Sequence, residues 1–356
     1  MKSTAGILNR QKKESASQQP KERKSVLPES LENALRKFAQ KYAPQQSFGL
    51  KALFEKEMKD NIRSRKFQMI LILVFIMSYA SLYGAISGMS DSTSDYLYLS
   101  LFTTSGSSIP SFLTFIALLG PFVGIILGFD GISGEKSDRT LYRIAAQPIY
   151  RDSIINGKFL AGAALIVTMV FVMGTSIVAV GLLVIGFPPS VEEVARILVF
   201  LLFTAIYICF WLGLSLLFSV VCNNAATSAM ASIGLWIFFS LFMSLVASVI
   251  ANIVYPLNTQ LQQLYNAYGN YVLDLNLNRI SPYYLYSEAV TTIMNPSVRT
   301  VNVMTMQSLD GAISGYLGFW QSVLLVWPHL AGLIALMLAT FTGSYVCFMR
   351  QEIRAK

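Results

Sequence analysis

An all-α, polytopic membrane protein of six spans is the fold class this sequence predicts, and three observations carry it. The 356 residues are 54% hydrophobic and only 13% charged, where a soluble domain carries about 25% charged residues. Six segments lack Asp, Glu, Lys and Arg and are long enough to cross hydrocarbon, which takes about 20 residues. The remaining Lys and Arg crowd to one side of those segments, as the positive-inside rule requires.

Taken in order, residues 1–29 are rich in Lys, Gln, Ser and Glu and nearly free of aromatics, which predicts a disordered cytoplasmic tail. Ser30 is an N-cap candidate, and Leu31, Ala34, Leu35, Phe38 and Tyr42 follow at amphipathic-helix spacing until Ala43-Pro44 ends the run. From Phe48 to Lys66, Leu50, Leu53, Phe54, Met58 and Ile62 share one face, with Lys51, Lys56, Lys59, Arg63, Arg65 and Lys66 around it. Such a basic amphipathic helix lies in a membrane interface or packs on a partner protein. Residues 30–66 therefore form a cytoplasmic or interfacial region.

The six-span domain covers 67–349, with spans near 67–88, 109–129, 159–186, 197–222, 227–254 and 323–348. The uncharged run before the second span begins after Asp95 and is broken by Pro110, so an outer-leaflet helix or a re-entrant piece precedes it. Asn223 and Asn224 make a very short loop between spans four and five. The loop 255–322, rich in Tyr and Asn, is expected to form short helices on the outer leaflet, with the tyrosines of Ile280–Tyr286 at the interface. Residues 350–356 are a second cytoplasmic tail.

Orientation follows from charge. Sixteen Lys and Arg precede Phe67, five lie in the 130–158 loop and three in the C-terminal tail, leaving only Arg196, Arg279 and Arg299 for the other side. Both termini are thereby predicted to be cytoplasmic. The same distribution explains the net charge of +8 without a phosphate-binding groove, so no nucleic-acid partner is expected and membrane lipids are. Cys209, Cys222 and Cys347 form no CxxC pair and read as reduced packing residues.

Between spans two and three the stretch Gly128–Phe159 is a polar, basic island. Leu141, Ile144 and Ala145 fall opposite Lys136, Arg139 and Arg143, which predicts a short amphipathic helix on the cytoplasmic side. Other motifs carry less. Gly120, Gly124 and Gly128, and likewise Ala331, Ala335, Ala339 and Gly343, are small-residue faces suited to close helix packing within a subunit or between two. The segment Gly131–Ser137 lacks the adjacent Gly-Lys and preceding strand of a phosphate loop. Glu192, Glu193 and Arg196 resemble an intramembrane protease motif, but with wrong spacing and one histidine in the chain, His329, which reads as an interface or pore-mouth residue. A lone histidine makes no metal site. Spans without carboxylates or paired charges also speak against an ion-coupled carrier.

The run Phe129-Asp130-Gly131-Ile132-Ser133-Gly134-Glu135-Lys136, with Asp138-Arg139-Thr140-Leu141, Gln147-Pro148, Ile149-Tyr150-Arg151 and Gly157-Lys158-Phe159, resembles the central loop of ABC-2-type permeases. Lys56-Glu57 and Arg63-Ser64-Arg65-Lys66 are similar to that family's elbow helix, and Ser281–Leu285 and Asn295-Pro296 to its outer loop. Many members carry Gly where Arg139 stands, a departure expected to matter little on a solvent-facing helix. The resemblance implies the permease subunit of an ATP-binding-cassette exporter in the cell membrane of a bacterium or archaeon. It implies a separate cytoplasmic ABC ATPase, which holds the ATP while this chain binds no cofactor, and a second copy or a related permease. Glu135, Lys136, Asp138, Arg139, Leu141, Arg143 and Ile144 would be the coupling helix on which the ATPase docks. Asn223 and Asn224 would be a second contact, and Lys56, Glu57, Arg63 and Arg65 the elbow. A membrane-anchored interaction or sensory protein, or an ion-coupled carrier, is the alternative.

Overall fold

The computed structural model describes residues 45–89, 96–105, 109–141, 149–296 and 317–351. The chain divides into two compact units, Met1–Gln45 and Gln46–Lys356, and all that follows concerns the second. The tail at 1–29, the helix expected from Ser30, Arg143, Ile144, Arg299 and residues 352–356 lie outside the described residues.

Every regular element among the described residues is helical. Six helical stretches are long and apolar enough to cross a membrane: Arg65–Gly88, Phe112–Ser137, Arg151–Ile185, Val191–Val221, Ala225–Val254 and Phe319–Arg350. Each coincides with an expected span. Several run past the charge-free window into polar sequence, because helical hydrogen bonding does not stop where hydrophobicity does.

Helix α1 (Gln45–Arg63) is separated by Ser64 from α2 (Arg65–Met89), the first span. The short α3 (Leu97–Thr103) is tucked inward, with Tyr98, Leu99, Leu101 and Phe102 buried. Phe102 meets Phe112 and Phe200 edge to face at 5.4 and 5.7 Å. The second span, α4 (Phe112–Gly128), is capped by Ser111 and followed by α5 (Ser133–Ser137). Then come α6 (Arg151–Ile185) and α7 (Val191–Val221). Gly186 closes α6 at φ 85°, a left-handed turn that favours glycine.

Helix α7 is the axis of the bundle. In its most apolar stretch 78% is buried, against 17% in each of the last two spans. Gly120, Gly124 and Gly128 lie against α7, where a methyl on Gly124 would sit 2.5 Å from the Ile208 carbonyl oxygen. That small-residue face therefore packs within the subunit. The second one does so only at one end: Ala331, Ala335 and Ala339 are exposed on α12 (Phe319–Arg350), while a methyl on Gly343 would lie 3.7 Å from Leu217 of α7. Helix α12 turns Leu333 and Thr340 inward instead, and Thr340 sits where a side chain on Gly213 would go.

The fifth span is α8 (Ala225–Ile237), a π turn at Phe238–Phe242, and α9 (Met243–Val254). A π turn frees a carbonyl; here Phe239 O accepts the Ser281 hydroxyl at 2.7 Å. Helix α10 (Gln260–Asn278) opens on a Thr259–Gln262 capping box and presents Leu261, Leu264, Tyr265 and Tyr268 outward.

Helix α11 (Pro282–Met294) departs from that reading. It sinks into the bundle, with Tyr286, Ala289, Val290 and Ile293 buried. Tyr286 stacks on Tyr207 at 4.2 Å and hydrogen-bonds Thr204 at 2.8 Å. A hydroxyl that finds a buried partner can leave the interface. Cys209 is buried, but Cys347 is exposed on α12, so not every cysteine is a packing residue.

Candidate functional site

At the end of the bundle where α1 enters, residues from five helices converge. Leu53 and Glu57, one turn apart, are the buried positions among the described side chains of α1, and Ile62, expected on the same face, is 48% exposed. Leu53 packs with Ile132, Leu141, Ile154, Ile155, Leu216, Val220 and Phe348 in a small core distinct from the main one. Gly157 of α6 permits this approach, since a methyl there would lie 3.0 Å from the Leu53 Cδ2.

Above that core sits an ionic junction. The Lys158 ammonium, buried at the second turn of α6, donates to Glu57 Oε1 at 2.9 Å and to Glu135 Oε1 at 2.7 Å. Lys56 reaches Glu57 at 3.1 Å and Glu135 at 3.9 Å. Three elements distant in sequence, α1, α5 and α6, are thus tied at one point. Burial alone would raise the Glu57 carboxyl, but Lys158 and Lys56 outweigh it and hold it below its ordinary value. The second oxygen of Glu135 is buried without a partner among the described residues.

The chain from Asp130 to Leu141 is pinned to α7 as well. Ser219 Oγ accepts the backbone N–H groups of Ile132 and Ser133, each at 2.9 Å. The Lys136 ammonium donates to the Val220 carbonyl at 2.5 Å, a cation placed at the negative end of a helix. Arg151 donates to the Gln351 carbonyl at 3.0 Å, and Gln351 to Val220 O at 3.3 Å. The ends of α7 and α12 are thereby joined to the same patch.

These positions correct part of the sequence reading. Helix α5 ends at Ser137 and Arg139 turns the chain at φ 56°, so Lys136 and Arg139 do not share one unbroken helix with Leu141, and Ala145, like Arg143 and Ile144, lies outside the described residues. Arg139 therefore occupies a left-handed position, a strained one for a residue with a side chain. Glu135 and Lys136 are not on a solvent face; both are engaged within the bundle. Asp138 and Arg139 are exposed, and Leu141 is buried.

Asn223 and Asn224 are exposed just beyond Val220 and Val221, at the same end of the bundle. Arg63 is exposed at the end of α1, whereas Arg65 belongs to α2. Sequence reasoning quoted Lys158 only as part of a motif and missed Ser219 altogether. Lys158 was detectable as a charge at the edge of an apolar run; Ser219 carries no such signal.

The opposite end is held by a different polar set. Arg196, fully buried, donates to Glu192 at 2.8 Å, to the Ile293 and Leu317 carbonyls at 2.8 and 2.6 Å, and to Ser322 at 3.2 Å. Glu193 closes a capping box with Ser190 and accepts the Tyr98 N–H at 2.9 Å. The protease-like trio is thus structural. Glu288 accepts from Arg279 at 2.8 and 3.0 Å and lies 2.9 Å from His329 Nε2. Burial opposes its ionisation, but His329 and Arg279 prevail and hold the carboxyl below its ordinary value. His329 is buried beside Glu288.

Comparison with known proteins agrees with this architecture. The family description "ABC-2 family transporter protein" matches residues 51–353. The probable ABC transporter permease protein NosY of Pseudomonas aeruginosa is 26% identical over 190 residues, 52% of this chain and 65% of that protein. Its namesake from Stutzerimonas stutzeri is 26% identical over 189 residues, 52% of this chain and 64% of that one. The chain thus spans just under two thirds of the length of these curated relatives. The family match takes in the junction and the full length of all six spanning helices, and the chain belongs to the ABC-2 family of transporter proteins.

Proposed function

We propose that this chain is the permease subunit of an ATP-binding-cassette transporter, working as an exporter in a cell membrane with both termini cytoplasmic. It pairs with a second copy or a related permease, and a separate ABC ATPase docks beside α5. The observation that supports this reading best is the junction of Glu57, Lys158 and Glu135. A force applied to the exposed turn at Asp138 and Arg139 reaches α6 and α1 through two ion pairs, and α7 through Lys136 and Ser219. Asn223 and Asn224 offer a second point of contact at the same end. ATP is held by the partner, and this chain transmits motion.

The exposed turn is the place to test docking, because Glu135 serves the junction and its reversal would disturb folding. Charge reversal of the turn, D138K with R139E, is expected to abolish co-purification of the ATPase and its stimulation while leaving the unfolding midpoint unchanged. Unaltered stimulation and transport would rule out docking at this turn.

A further inference from the structure

The fifth span changes its packing partners halfway along. Helix α8 gives Ile233 and Trp236 to the main core, as does Phe239 in the π turn. Between Phe239 and Tyr283 neither apolar core takes a side chain. Met243, Ala247, Ala251 and Leu275 are buried all the same, because α9 and α10 pack chiefly on one another. Ser248 donates to Asp274 at 3.0 Å, Asn270 to Asn252 and to the Tyr255 carbonyl at 2.9 Å each, and Asn266 to the Pro256 carbonyl at 3.1 Å. The Tyr255 ring lies where a side chain on Gly269 would go. Helices α9 and α10 thus form one antiparallel hairpin with its own packing.

Two strands connect this hairpin to the bundle, and they meet. One is the π turn Phe238–Phe242, in which no residue is buried; π bulges are among the few places where a helix bends sharply. The other is the corner Arg279–Ser281, held to α11 by the pairing of Arg279 with Glu288. The Ser281 hydroxyl donates to Phe239 O at 2.7 Å and so joins the two strands. Beyond the corner, α11 is seated in the core by Tyr286 and Ile293.

We propose that the α9–α10 hairpin is a flap that turns as one body about the π turn and the 279–281 corner, with the Ser281 hydroxyl as its latch. Segments that share few buried contacts with a core move at lower cost than the core does. The 12 residues of α9 span about 18 Å at 1.5 Å per residue, so each swing of about 10° carries the far end about 3 Å. The flap lies at the end opposite the ionic junction and belongs to this chain alone, so it stands or falls apart from the docking of an ATPase.

The test places nitroxide pairs on the full chain carrying C222S and C347S, diluted with unlabelled chain in lipid nanodiscs, and reads distances by double electron–electron resonance. Leu183 of α6, Leu245 of α9, Leu261 of α10 and Thr291 of α11 are exposed and take the labels. L183C with L261C reports the flap against the bundle, L245C with L261C the flap itself, and L183C with T291C the seat of α11. S281G removes the latch, and glycine caps a helix nearly as well as serine. In S281G the L183C–L261C distribution should widen by about 3 Å or more, the displacement of a 10° swing, while the other two pairs stay as in wild type. S281T, which keeps the hydroxyl, should keep the wild-type width; S281A repeats the first arm if S281G fails to fold. An unchanged L183C–L261C distribution overturns the proposal. So does equal widening of either other pair, or widening in S281T as large as that in S281G.

Discussion

Lys158→Met removes the buried ammonium between Glu57 and Glu135 while keeping an unbranched side chain of similar length. The charge lies 2.7 Å from one carboxylate and 2.9 Å from the other. At an effective dielectric constant of about 20, attraction at such distances is about 6 kcal/mol for each contact. Desolvation of the three groups takes back most of it, and removing one partner of a buried pair typically costs about 3–5 kcal/mol. Lys56 remains 3.1 Å from Glu57 and shields part of the stranded charge, so the lower end is expected, about 3 kcal/mol. Denaturant unfolding in detergent micelles measures this for wild type, K158M, E57Q/E135Q and the triple variant. Lys158→Met should cost about 2 kcal/mol less once both carboxyls are amides, because the stranded charges are then gone. Equal losses in the two backgrounds would refute the reasoning, since the three groups would be neighbours without an energetic link.

Other outcomes follow from single positions. Gly124→Ala places a methyl 2.5 Å from the Ile208 carbonyl oxygen and 2.9 Å from the Leu212 nitrogen. Backbone cannot step aside as a side chain can, so a loss of about 3 kcal/mol is expected in the same unfolding assay. Gly234→Ala, with nothing within 4 Å, should instead gain up to about 1 kcal/mol. Arg139→Gly should stabilise by about 0.5–1 kcal/mol, because relief of the left-handed strain exceeds the added freedom of the unfolded chain; a loss would mean the side chain makes a compensating contact. Glu57 titrates below its ordinary value of 4.5 in the folded chain. Its contribution is therefore fully present above that value and is lost as the pH falls through the lowered one. Stability measured from pH 6 down to 3 should decline less steeply in E57Q than in wild type.

Much of the architecture was legible from composition. Six charge-free runs of about 20 residues demand six spans, since an unpaired charge in hydrocarbon is expensive. Ser190 with Glu193, and Thr259 with Gln262, are capping boxes the structure shows and the sequence reading did not single out. What misled was environment. Tyr286 reads as an interface tyrosine until Thr204 and Tyr207 are seen around it, and Glu135 reads as a solvent-facing charge until Lys158 stands 2.7 Å away.

The number of crossings, the crowding of basic residues at one end and the family resemblance of the central loop were determined by the linear chain alone, because each depends on which residue types follow one another. Tertiary structure decided which charges meet. Glu57 and Lys158 are 101 residues apart, and Arg196 finds its acceptors 97, 121 and 126 positions away. A buried ion needs partners within a few ångströms, and whether it has them is settled by how helices pack. That is why a lysine at the edge of an apolar run looks like an interfacial residue in sequence and proves to be the joint between three helices.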